Sequence, residues 1–229
     1  MKYAWWFLLV FFPLAARADE PPLPAESLER MQQSFRRDED RLADDIALRP
    51  DEVRLYSRRG DVRFFQGKFT GALADYEKMV ELEPKLEVSH WRRGIAYFYA
   101  EDYDKAARQF ELYHEFDDVD RENGIWRYLS QVKAIGRDKA RSKLLKYSKV
   151  DREPLPAVYK LFAGEIAPQE ILDGIAAAEI PAEERVKRLF YAQLYIGLNH
   201  LVEDDLAAAQ RHLAEAVRNE WGRTIGGGP

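Results

Sequence analysis

The feature that most constrains this chain is a self-similarity with a period of 34 residues. Gly60 recurs as Gly94, Phe69 as Tyr103, Ala72 as Ala106 and Tyr76 as Phe110, while Pro50 recurs as Pro84. A fixed period of this length is the sign of a solenoid built from helix-turn-helix units. Each repeated class has a packing reason: small Gly and Ala where two helices approach most closely, aromatics where the next unit stacks. The phase also reaches further along the chain. Gly197 is followed at offsets of 9, 12, 16 and 19 by Leu206, Ala209, Leu213 and Ala216, and Gly60 and Gly94 carry comparable classes at the same offsets. Gly94 and Gly197 are 103 residues apart, three periods and one residue. The expected fold is therefore all-α, an α-α superhelix of antiparallel helix pairs.

In chain order, Met1-Lys2, the apolar run from Tyr3 to Ala16 and the sequence Ala16-Arg17-Ala18 read as a signal peptide over 1-18. The run is too short, and is interrupted by Pro13, to span a bilayer of about 20 helical residues. A Pro-rich linker over 19-25 and a capping helix over 26-50 follow, the latter with a thin apolar stripe of Leu28, Met31, Phe35, Leu42 and Ile46. Residues 51-150 hold three units. The first has helices to about Gln66 and from Phe69 to Glu83; the second runs from Lys85 to about Ala100 and from Tyr103 to about Phe116, with Asp102 as N-cap. The third is degenerate, with Tyr128 at the small position, a turn at Gly136-Arg137 and a second helix carrying Ala140, Leu144 and Tyr147. Residues 151-182 read as an irregular or degenerate hairpin around Pro154, Pro156 and Pro168, and 183-219 as a C-terminal helix pair. The Gly-rich stretch 220-229 reads as a flexible tail.

From Leu55 to Asp118 the order of aromatic, small, aromatic, Ala and aromatic positions before a Pro resembles the tetratricopeptide repeat (TPR) family. That resemblance implies a concave groove lined by the first helix of each unit. Carried onto this sequence, the groove positions are Arg54, Ser57, Asp61, Phe64 and Phe65, then Val88, Trp91, Ile95, Phe98 and Tyr99. The set is strongly aromatic. The Lys and Asn pattern with which TPR chaperone adaptors clamp a terminal carboxylate is absent, since Ser57 and Asp61 stand there. Large rings on a groove can anchor an extended or helical peptide. Alternatively, Phe64, Phe65, Phe98 and Tyr99 pack against neighbouring helices, or another segment of the chain fills the groove.

Motifs for catalytic or metal chemistry are incomplete. His114-Glu115 opens like a zinc-protease helix, but Asp118 replaces the second histidine. Asp118-Val119-Asp120-Arg121-Glu122 opens like a calcium loop, but Asn123 and Leu129 occupy the positions of the turn Gly and the bidentate Glu, leaving a solvated acidic junction as the expectation. Glu203-Asp204-Asp205 falls where the other units turn, and turn and N-cap chemistry explains it. The pairs Arg58-Arg59 and Arg92-Arg93 recur with the period and read as salt-bridged surface. No enzyme activity and no cofactor are expected.

Composition narrows the partners. The chain has no cysteine, which excludes disulfides and thiolate ligands, and export without them fits a bacterial periplasm or secreted space. Removing Lys2 and Arg17 from 35 basic residues leaves 33 against 40 acidic ones, so nucleic acid is not an expected partner. The reading is an exported TPR scaffold or adaptor for a protein or peptide partner, with no stable membrane span after signal cleavage. The alternative is a self-associating structural protein of the cell envelope, a homo-oligomer.

Overall fold

The computed structural model describes residues 25–225; the expected leader, nearly all of the Pro-rich linker and the Gly226-Gly227-Gly228-Pro229 tail lie outside the described residues. Among the described residues all regular structure is helical, and the helices pack in adjacent pairs as an all-α superhelix. A lead helix, α1 (Ala25–Leu48), packs on α2 (Val53–Phe65), which pairs with α3 (Phe69–Leu82), followed by α4 (Trp91–Tyr99) and α5 (Tyr103–Phe116). Next come α6 (Arg121–Ile135), α7 (Arg137–Ser142), α8 (Leu155–Ala163) and α9 (Pro168–Ala177). The chain closes with α10 (Ala182–Val202), α11 (Leu206–Arg218) and α12 (Glu220–Ile225).

One contact explains why the period is legible. A Cβ added to Gly60 would lie 2.6 Å from the Tyr76 ring, one on Gly94 2.7 Å from the Phe110 ring, and one on Gly197 2.7 Å from Leu213 Cγ. In all three pairs the bulky residue stands 16 positions after the glycine, so the first helix of each pair lacks a side chain where the second inserts one. Tyr76 and Phe110 are almost fully buried as a result. The turns repeat too: Gly67, Glu101 and Asp204 all have left-handed backbones, with φ of 71°, 63° and 62°. After the last two, Asp102 and Asp205 cap the next helix, accepting from the backbone N–H of Lys105 at 3.4 Å and of Ala208 at 3.1 Å.

α1 covers the first pair with its C-terminal half. Leu42 and Ile46 are buried, Phe35 stacks on Phe65 at 6.3 Å, and Glu39 accepts from Arg63, Gln66 and Lys68. Burial pushes the Glu39 carboxyl up, but Lys68, Arg63 and Gln66 outweigh it and bring it down to about 2.

Three expectations need correction. The first helix of the second unit does not start at Lys85: Pro84–Leu86 is a 3-10 turn, and α4 begins at Trp91, where His90 accepts from the Arg93 N–H as N-cap. The flexible tail does not start at 220. α12 packs on α10 and α11, with Gly222 so close to Phe190 that a Cβ would lie 2.6 Å from its ring.

The third correction concerns the second helix of the third unit, which ends at Ser142 before reaching Leu144 and Tyr147. Tyr128 fills the small position, so a helix cannot approach as it does over Gly60; instead Phe162 of α8 stacks on Tyr128 at 5.1 Å. The intervening chain becomes a strap along α6. Arg127 donates to the Lys143 carbonyl at 2.6 Å, Tyr159 to that of Leu145 at 2.7 Å and Arg121 to that of Lys149 at 3.1 Å, while the Tyr147 hydroxyl donates to the Asp120 carbonyl at 3.2 Å. Those bonds satisfy backbone groups that a helix would have satisfied internally.

Candidate functional site

The ten groove positions divide into an interior set and an outer set. Phe64, Ile95 and Phe98 are 0, 3 and 6% exposed, so they are core residues and not groove surface. Phe64 meets Phe65, Phe69 and Tyr76 edge-on or tilted, and Phe98 meets Tyr103 and Trp126. Phe65 is taken by Phe35 of α1, and Tyr99 lies flat on Phe69 at 4.7 Å, which joins the first pair to the second. The aromatic character of the expected groove therefore belongs to packing between units.

The outer set is Arg54, Ser57, Asp61, Val88 and Trp91. Arg54 is exposed, Ser57 and Trp91 are half-buried, and Val88 stands in the turn before α4 with 38% of its surface exposed. Asp61 accepts from the Tyr76 hydroxyl at 2.8 Å and lies 3.5 Å from Arg92; burial raises its pKa, against the pull of Arg92 and the Tyr76 hydroxyl. The Arg92 guanidinium lies over the Trp91 ring at 4.5 Å. Positions 54, 57 and 58 of α2 correspond by the 34-residue period to 88, 91 and 92, of which 91 and 92 open α4 while 88 stands in the turn before it. The recurring arginine pairs split between two roles. Arg59 is bound to the buried Asp75 at 2.6 Å and Arg93 to Glu87 at 3.1 Å, whereas Arg58 is exposed and has no ionic or hydrogen-bond partner among the described residues.

A second polar assembly was not expected. Asp120 and Glu122, read as part of a solvated acidic junction, are 6 and 7% exposed, whereas Asp118 beside them is exposed and paired with Lys149. Asp120 caps α6 by accepting from the Glu122 N–H at 3.0 Å, and Asp151 of the strap accepts from the Arg121 N–H at 2.8 Å. Arg152 donates to Glu122 and lies 3.7 Å from Asp120 and 3.3 Å from Asp151, so one guanidinium faces three shielded carboxylates. Tyr195 of α10 donates its hydroxyl to Glu122 and ties the C-terminal pair to α6. Burial outweighs Arg152 and the Tyr195 hydroxyl and holds the Glu122 carboxyl up at about 7; Asp120 is raised as well, again chiefly by burial. The only sequence signal was an acidic run, and its partners stand about 30 and 73 positions away.

The acidic triplet Glu203-Asp204-Asp205 forms the α10–α11 turn, as expected, with Glu203 near Arg137 and Arg141 at 3.5 and 3.7 Å. That turn borders an open cleft of about 570 Å³ over Val132, Ile135 and Val202, whose rim mixes Arg137, Lys139, Asp138 and Asp204. With Glu203 the cleft carries three carboxylates against two cations, and Glu203 lies near Arg137 while Asp204 is paired with Lys133. The α2–α4 face, built from repeated positions and holding partly exposed Trp and Arg, is the better candidate for recognition. No family model matches the chain.

Proposed function

We propose that this chain is an exported TPR-type scaffold of the bacterial envelope, periplasmic or secreted, that binds a protein or peptide partner across the α2–α4 face. The observation that carries this reading is the repetition of outward positions: Arg54, Ser57 and Arg58 on one unit, Val88, Trp91 and Arg92 on the next. A stack of helix pairs presents such positions at regular intervals, which suits an extended partner better than a compact ligand. The partner contacts come from the outer set, because the buried rings are held by neighbouring helices.

Photo-crosslinking tests the proposal. A photoreactive residue at Ser57 should capture a discrete envelope protein, and one at the exposed Ala74 of α3 should not. The Ser57 product should be lost in Trp91→Ala. Equal labelling from both positions, or none from Ser57, would count against the reading.

Self-association is the second reading, and Leu206 favours it. Phe69, at the equivalent position of the first unit, is covered by Tyr99 of the next, whereas Leu206 is 59% exposed. A second copy would cover it. Light scattering that shows a monomer at high micromolar concentration would remove this reading.

A further inference from the structure

We propose that the partner segment received by the α2–α4 face is acidic, with an apolar side chain that seats beside Trp91; this rests on the partner-binding role proposed above. In each recurring arginine pair the second member is committed to its own unit, Arg59 to Asp75 and Arg93 to Glu87. Of the first members, Arg58 is turned outward, whereas Arg92 is half-buried and lies 3.5 Å from Asp61 of the preceding unit. Arg58 and Arg54, one helical turn apart on α2, are both exposed, and neither has an ionic or hydrogen-bond partner among the described residues. Arg92 is the equivalent on α4. Its guanidinium lies over the Trp91 ring at 4.5 Å, and its Nε, shielded from solvent, faces Asp61 at 3.5 Å.

A guanidinium offers a planar fork that matches a carboxylate, and stacking on an aromatic ring fixes the fork before the ligand arrives. Arg92 is fixed in this way between Trp91 and Asp61, and Arg54 and Arg58 are the forks left open to a partner. Asp61 is the acidic group on the face itself, and it is already engaged by Tyr76 and Arg92; Asp51 and Glu52 lie exposed before α2. The chain carries a net charge of −5, so a face with two exposed, unpaired guanidiniums, Arg54 and Arg58, runs against its overall charge. Opposite charge on the partner is what such a face selects. Trp91, beneath Arg92, and the exposed Val88 supply the apolar contact, in the pairing of Trp with Arg that dominates binding energy at interfaces.

The test uses three fluorescent probes on the mature chain: a short Glu-rich peptide with one leucine, its Lys-rich counterpart, and single-stranded DNA of similar length. Wild type should bind the Glu-rich peptide in preference to the other two, and less tightly as salt rises. The double variant Arg54→Glu/Arg58→Glu changes exposed side chains, and its helical circular dichroism should match wild type. It should lose roughly tenfold or more in affinity for the Glu-rich peptide and gain affinity for the Lys-rich one. Unchanged binding in the double variant, preference of wild type for the Lys-rich peptide, or DNA binding as tight as the acidic peptide would each overturn the proposal. Crosslinking from Ser57 that persists in the double variant would overturn acidic selection while leaving the partner-binding role standing.

Discussion

In the first two units a glycine on one helix lies under a ring of the next, Gly60 under Tyr76 and Gly94 under Phe110. In the third, Tyr128 stands where the glycine would be, the second helix is cut short at Ser142, and the strap and α8 complete the packing on α6. Filling one small position changes which chemistry holds a unit together. The glycine units close chiefly through apolar contact, although the first also buries Asp75 against Arg59. The third adds to its Tyr128–Phe162 stack a set of partly buried polar contacts: Arg127 and Tyr159 on strap carbonyls, and Arg152 amid three carboxylates. The C-terminal pair then docks on α6 through Tyr195, so this polar unit joins the two regular parts of the stack.

The largest expected effect lies in that polar joint. The side chains of Asp120, Glu122 and Asp151 are 8, 9 and 5% exposed, and Arg152 is the cation among them. Arg152→Ala should cost about 3 kcal/mol, because it leaves shielded carboxylates without their partner. Gly94→Ala should cost roughly 1–3 kcal/mol by forcing the Phe110 ring to move. Urea unfolding of the two variants ranks them. Equal losses, or a smaller loss at Arg152, would mean that the joint is no more sensitive than a regular unit.

The two regions should also respond to pH with opposite sign. Glu122 sits at about 7 in the folded chain against an ordinary glutamate value of 4.5, so the folded chain holds an extra proton between those values. Its contribution is fully present below 4.5 and is lost as pH rises through 7, up to about 3 kcal/mol. His90, in the second unit, is lowered to about 4 from 6.5 by burial and by Arg93 and Arg92. Its contribution is present above 6.5 and is lost as pH falls toward 4, by a similar amount. Glu122→Gln should therefore flatten the loss of stability between about pH 5 and 8 relative to wild type. His90→Asn, which keeps an N-cap acceptor, should flatten the loss on the acid side. Thermal unfolding across roughly pH 4–8 separates them, and identical profiles for both variants would dismiss the contrast.

The glycine units were legible in the sequence because their contacts join residues 16 positions apart within one period. The joint was not. Asp118, Asp120 and Glu122 look alike in a local window, and what distinguishes them is Arg152 and Tyr195, brought in from the strap and from α10. The α2–α4 face was legible in part. Its position followed from the period, and Arg54, Ser57 and Trp91 do lie toward the surface. The inward course of Phe65, Phe98 and Tyr99 depends on Phe35 of α1 and on Trp126, whose placement no repeat position encodes. The period also marked Arg58 and Arg92 as equivalent without showing that only their neighbours Arg59 and Arg93 would find partners inside their own units.

The smallest effect concerns the turns, where Gly67 is matched by Glu101 and Asp204 at the same left-handed φ. A side chain at such a φ costs roughly 1 kcal/mol or more relative to glycine, while glycine gives back part of that through its freer unfolded chain. Glu101→Gly should thus stabilise by about 0.5 kcal/mol, and Gly67→Ala should destabilise by about 1 kcal/mol. Asp204→Gly should gain less than Glu101→Gly, because Asp204 also accepts from Lys133 at 2.7 Å in a largely exposed ion pair worth a few tenths of a kcal/mol. Raising the salt concentration should narrow the gap between the two glycine variants as that pair is screened. If it leaves the gap unchanged, the difference between the turns comes from their backbones and not from the ion pair that spans the third unit and the C-terminal pair.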